Sequence, residues 1–282
     1  MPYTTLIDAP DLARLTPGPG VAIVDCRFDL ADPAAGRGAW LAGHIPGALH
    51  ADLNRDLSAP PGPATGRHPL PDPQHLAARL GELGIDNATQ VIAYDQSNGA
   101  FAARLWWLLR WLGHGRCAVL DGGFDAWRRS GGAVRVGEET VPQRRFTAAG
   151  PALATADSAA VAAALSRGDR LLVDARAVER YAGDVEPIDP VAGHIPGARN
   201  APFSANLGGD GRFLPASELR ARWRSILGDA PPGQLIAMCG SGVTACHNLL
   251  ALEIAGLPGA ALYPGSWSEW IRDPSRPVAT GR

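Results

Sequence analysis

Sulfur is the softest nucleophile this chain can offer, and one of its four cysteines stands where a nucleophile is useful. The run LIAMCGSGVTACHNLLALEIAGL, residues 235 to 257, places Cys239 after an apolar stretch that reads as a buried strand, Leu235 to Met238. A loop of small residues follows, Cys239 to Val243, and then a helical pattern from Thr244 to Ala255 with Leu249, Leu252 and Ala255 on one face. A thiol between a strand end and a helix start meets unpaired backbone N–H groups and the positive end of the helix dipole. That setting favours the thiolate near neutral pH. Gly240 and Gly242 let the loop curl so that successive amides, including those of Val243 and Thr244, converge on one anion.

What must position such a cysteine is legible in the rest of the chain. With 282 residues and 46% hydrophobic content there is material for one large or two ordinary globular domains. A net charge of −2 offers no basic surface for nucleic acid or anionic lipid. The N-terminal stretch lacks the basic flank and apolar core of a signal peptide, and runs such as LWWLL are too short to span a bilayer, so a cytoplasmic, non-membrane protein is expected. Cys26, Cys117, Cys239 and Cys246 form no CxxC pair and no zinc spacing, which suits a reduced compartment and implies no metal. All 26 basic residues are arginine. The absence of lysine excludes a pyridoxal Schiff base and a Walker A site, and leaves arginine to grip any anion.

The chain is written twice. VDCRFDL and GHIPGA, from Val24 to Ala48, return as VDARAVER and GHIPGA, from Val173 to Ala198. VIAYD parallels LIAMC, and LDGGFDAW parallels YPGSWSEW. Four landmarks in one order, offset by about 143 to 150 residues, mark a duplicated domain rather than a short repeat. In each copy short apolar runs (VAIVD, VIAYD and CAVLD; RLLVD, QLIAM and AALYP) alternate with helical patterns. This predicts an α/β fold of tandem domains, each a parallel sheet with helices on both faces and its site beyond the strands' carboxyl ends. The expected boundaries are residues 1–136, a linker over 137–157, and 158–282. Asp95 in the first copy stands where Cys239 stands in the second, so the second copy is expected to carry the chemistry.

These residues resemble the two-domain sulfurtransferases of the rhodanese superfamily. The likeness spans nearly the whole chain, through the repeat, the CGSGVTA loop, EPIDP, GHIPGARNAPF and the terminal GSWSEW. The loop is closest to that of the 3-mercaptopyruvate-using members, because thiosulfate-using members put basic residues where Gly240 and Ser241 stand here. The resemblance implies that Cys239 takes a sulfane sulfur from a small donor as a persulfide. It then passes the sulfur to a thiol such as thioredoxin, or to cyanide, without a bound cofactor and in ping-pong fashion. It implies that Arg180, in ERY, binds the donor's anionic group. It also implies a proton relay of Ser241 with His68, a histidine of the first domain in GRHPLP. The family's supporting aspartate falls at Asn54, with Asp52 two residues earlier, so a full triad stays open. Mercaptopyruvate-using members carry an arginine in the EPR stretch where this chain has Ile188, which leaves thiosulfate as the alternative donor.

Other residues carry plainer expectations. Asp25 with Arg27, Asp174 with Arg176, and His44 and His194 occur in both copies, so they hold the fold. Cys26, Cys246 and the LWWLLRW tryptophans read as core, and Trp267 with Ser266 as pocket wall. The internal duplication makes a monomer the expectation. A phosphatase would need an arginine where Ala245 stands, and a thiol oxidoreductase a second nearby cysteine. A persulfide carrier without turnover is the remaining alternative.

Overall fold

The computed structural model describes residues 1–15, 18, 20–96 and 98–282, and they fall into two compact units. The first comprises Met1–Ala59, Leu70–Ala152 and Gly209–Phe213; the second comprises Pro60–Pro69, Leu153–Gly208 and Leu214–Arg282. These units depart from the expected bounds, residues 1–136, a linker over 137–157 and 158–282, in two places. Residues beyond 137 stay with the first unit through backbone hydrogen bonds, from Arg144 to Gly81 (2.9 Å), Ala149 to Leu112 (3.0 Å) and Ala152 to Trp111 (2.8 Å). A ten-residue segment of the first repeat, Pro60–Pro69, is part of the second unit.

The first unit contains β1 (Leu6–Ile7), α1 (Ala9–Leu15), β2 (Val21–Asp25), α2 (Ala35–Ala42), β3 (Leu49–His50), α3 (Pro73–Glu82), β4 (Gln90–Tyr94), α4 (Ala102–Trp111), β5 (Cys117–Leu120) and α5 (Gly123–Arg129). Its strands pair in parallel in the order β1-β5-β4-β2-β3. The second unit contains α6 (Ser158–Arg167), β6 (Leu171–Asp174), α7 (Val178–Ala182), β7 (Arg199–Asn200), α8 (Ala216–Leu227), β8 (Leu235–Met238), α9 (Thr244–Ile254), β9 (Ala261–Leu262) and α10 (Ser266–Trp270). Its sheet is parallel too, in the order β7-β6-β8-β9, with Thr155 bridged to Leu262 where the first unit has β1.

Local chemistry accounts for these elements. The central strands β4 and β8 are buried along their whole length, as continuous apolar runs covered by helices on both faces should be. Asp72 caps α3 by accepting the amides of Gln74 and His75, ahead of Pro73 in the first turn. Asp157 caps α6, and Gly168 closes it in the left-handed region at φ 67°. Helix α9 is buried from Ala245 to Leu252, so Cys246, His247 and Asn248 all lie inside. His247 and Asn248 both meet the Asn206 side-chain amide, at 3.3 and 2.7 Å.

The duplicated motifs make the same bonds twice. The Arg27 guanidinium donates to Asp25 (2.6 Å) and the Gly43 carbonyl (2.6 Å); Arg176 donates to Asp174 (2.7 Å) and the Gly193 carbonyl (2.8 Å). Arg27 lies over the Phe124 ring at 4.5 Å, and Arg176 over Trp267 at 4.8 Å. His44 Nδ1 donates to the Trp40 carbonyl and His194 Nδ1 to that of Tyr181, each ring stacked on the same residue's aromatic ring. These pairs therefore brace the loops that leave the two sheets.

The two copies part at the loop after the central strand. In the first, the buried Asp95 carboxylate accepts the amides of Gly99 (2.9 Å), Phe101 (2.9 Å) and Ala102 (3.2 Å). The amide nest that could hold an anion is filled by the chain's own carboxylate. Burial pushes that carboxyl up, and the three amides pull it part of the way back. Asp95→Ala strands these donors and is expected to destabilise the first unit by about 1–3 kcal/mol while activity per folded molecule holds within twofold. Urea denaturation beside a sulfur-transfer assay checks both halves.

Candidate active site

In the second unit the equivalent loop holds Cys239, 2% exposed at the end of β8. The Gly242 amide points at its Sγ, 3.2 Å away. Gly242 has φ +78°, and a Cβ there would collide with the Pro264 backbone, 2.8 Å from its Cα. This is the position at which the curl requires glycine. Val243 and Thr244 carry the loop into the first turn of α9, whose leading amides have no intrahelical acceptor.

The loop is fixed from behind by the GSWSEW turn. Ser266 Oγ accepts the Cys239 amide (3.0 Å) and donates to the Tyr263 carbonyl (2.8 Å). The Trp267 amide donates to the Cys239 carbonyl (3.1 Å) and the Ser268 amide to that of Gly240 (2.9 Å). Ser266 is the one non-glycine residue with positive φ (54°) among those described. That backbone is held by its two side-chain hydrogen bonds. The expectation of a pocket wall is thereby corrected. Trp267 is fully buried, its indole N–H on the Val191 carbonyl and its ring under Arg176, and Ser266 acts through the loop's backbone.

Ser241 and His68 come together. His68 Nδ1 and Ser241 Oγ share a 2.7 Å hydrogen bond, and both residues are nearly buried. His68 belongs to the first repeat by sequence, but its segment is part of the same compact unit as Cys239. Asp52, in the first unit, uses its carboxylate to accept the Asn54 and Arg55 amides at 2.9 Å each, closing its own turn.

Arg180, on α7, donates to Glu186 (2.7 Å) and to Asp189 (3.2 Å), and its two Nη atoms both lie 3.7 Å from where a Gly240 Cβ would be. Burial works against ionising Glu186, but hydrogen bonds from Arg180 and the amides of Asp189 and Ile188 outweigh it and hold the carboxyl below its ordinary range. Burial pushes Asp189 the other way, up, with Arg67 and Arg180 opposing. Ile188 itself is exposed. Sequence reasoning passed over Arg67, Glu186, Asp189 and Ser268. The signals were present: a basic residue beside His68, two carboxylates flanking Ile188, and paired serines in GSWSEW.

The other cysteines are placed for packing. None of the four forms a disulfide, and all are buried. Burial pushes the thiol of Cys117 up to about 12 and that of Cys26 well above the ordinary range. Cys246 donates to the Gly242 carbonyl one turn back (3.3 Å).

The rhodanese-like domain family model matches residues 8–130 and again 157–273. The chain belongs to the rhodanese family. It is a two-domain sulfurtransferase of that family, and its relatives cover its full length. A probable 3-mercaptopyruvate sulfurtransferase of Pseudomonas aeruginosa is 51% identical over 100% of both chains. A putative thiosulfate sulfurtransferase of Mycobacterium tuberculosis is 41% identical, over 98% of this chain and 97% of its own. The crystal structure of the Escherichia coli 3-mercaptopyruvate sulfurtransferase SseA superposes with a TM-score of 0.81 at 32% identity, over 94% of this chain and all of that one. Among the described residues no helix is long and apolar enough to cross a membrane.

Proposed function

We propose that this rhodanese-family sulfurtransferase uses 3-mercaptopyruvate as its donor and Cys239 as its nucleophile. The observation that carries the donor is the Ser241–His68 hydrogen bond beside the cysteine. The Cys239 thiolate attacks the donor's thiol sulfur, and an S–S bond forms as the C–S bond breaks. The bonding pair leaves on carbon as the enolate of pyruvate, which must gain a proton. The persulfide in turn has an S–H proton to lose. Ser241 and His68 are placed to move that proton to the enolate, so the step balances without external acid. Loop amides, led by that of Gly242, stabilise the persulfide anion, and Arg180 binds the donor's carboxylate. An acceptor thiolate such as that of thioredoxin, or cyanide, then attacks the outer sulfur and releases the Cys239 thiolate. Four cysteines without a disulfide fit work in the reduced cytoplasm.

Sulfite leaving from thiosulfate needs no proton, so the relay separates the donors. With cyanide as common acceptor, kcat/KM is expected to favour 3-mercaptopyruvate over thiosulfate. His68→Ala is expected to lower kcat on 3-mercaptopyruvate by about 10²-fold or more and to change thiosulfate turnover far less. Equal losses on both donors would remove the relay. A wild-type preference for thiosulfate would make Ile188 decisive and the chain a thiosulfate-using enzyme.

A further inference from the structure

The family resemblance places a second donor-binding arginine where this chain has an exposed isoleucine, Ile188. Another guanidinium occupies the region. Arg67 Nη2 lies 2.9 Å from the point where a Gly240 Cβ would stand, the same point that both Nη atoms of Arg180 approach to 3.7 Å. Two cations therefore converge on the residue after Cys239. Between them stands Asp189, bound by the Nη1 of Arg67 through one oxygen and by Arg180 Nη2 through the other. The Arg67 backbone is fixed as well, its amide donating to Ser268 Oγ (3.1 Å), which stands two residues from Ser266 in the turn that braces the Cys239 amide. Its Nε is buried and has no protein acceptor.

Like charges brought to one point by a shared carboxylate, with donor capacity left over, make a receptor for an anion. Gly240 is what leaves the space; any side chain there would occupy it. We propose that Arg67 is the second donor-binding arginine, gripping the α-keto acid carboxylate together with Arg180 and taking the place of the arginine missing at Ile188. This assignment rests on the mercaptopyruvate reading above. Asp189 is the positioning residue that sets the two forks.

The test compares wild type, Arg67→Met, Arg67→Lys and Arg180→Met on 3-mercaptopyruvate and on mercaptoacetone, which has the same reacting thiol and ketone but no carboxylate. Arg67→Met is expected to lower the preference for 3-mercaptopyruvate over mercaptoacetone by about 10- to 100-fold, mostly through KM, with Arg67→Lys recovering part of it. The Ki of pyruvate as a competitive inhibitor should rise in parallel. Equal losses on the two donors would show a structural role and overturn the assignment, as would an unchanged preference. If wild type turns over 3-mercaptopyruvate and the variant keeps its preference, only Arg67 is wrong. If wild type fails to use 3-mercaptopyruvate, the donor reading falls and this assignment falls with it.

Discussion

Cys239→Ser is expected to abolish sulfur transfer, lowering kcat/KM by on the order of 10⁴-fold or more while leaving stability within about 1 kcal/mol. A serine hydroxyl fits the space and can accept the Gly242 amide that now points at sulfur. It cannot form a persulfide, so the loss is chemical rather than structural. No other thiol can take over. Cys26 and Cys117 lie buried in the first unit with burial holding them protonated, and Cys246 is committed to the Gly242 carbonyl. Mass spectrometry after exposure to donor without acceptor gives the direct readout. Wild type should gain one sulfur atom on the peptide containing Cys239, and the variant none. Residual turnover above a few per cent, or loading at another cysteine, would overturn the assignment.

This prediction draws mainly on residues legible in the sequence, because a strand, a glycine loop and a helix in direct succession are local features. Strands β2, β4, β5, β6, β8 and β9 and helices α1, α3, α4 and α9 were legible for the same reason: apolar runs and helical spacing report burial directly. The short strands β1, β3 and β7 were not, having no apolar run around them of the kind AALYP gives β9. Their existence depends on pairing with β5, β2 and β6 rather than on their own side chains. Ser266 was misread for a related reason. Its role is set by a positive φ and by the backbone of a residue 27 positions away, neither of which leaves a mark on residue type. Arg67 was not legible because its neighbours, Asp189 and Gly240, are distant in sequence.

Arg176→Met should produce the largest loss of stability, about 3–5 kcal/mol in the unfolding of the second unit. Both partners of the Arg176–Asp174 pair are essentially buried, at 1% and 0% side-chain exposure. Methionine fills much of the volume but leaves the Asp174 carboxylate with the Arg176 backbone amide in place of a forked guanidinium. The Gly193 carbonyl loses its donor and Trp267 its cation. Arg27→Met, which breaks the corresponding Asp–Arg pair in the first unit, is the control and should cost somewhat less there, because the Asp25 carboxylate keeps the Tyr94 hydroxyl as a donor (2.7 Å). The two variants differ in a second respect, because the two arginines stand at different loops. Arg176 Nη1 also reaches Glu186 (3.4 Å), the carboxylate that holds Arg180, whereas no reacting thiol stands in the first unit's loop. Folded Arg176→Met should therefore show a raised KM for an anionic donor, and folded Arg27→Met an unchanged one. Urea denaturation followed by tryptophan fluorescence, with kinetics on the folded fraction, separates the two effects. Stability losses below about 1 kcal/mol would mean that the duplicated Asp–Arg pair does not hold the fold. Matching KM values in the two variants would mean that Glu186 positions Arg180 without help from Arg176.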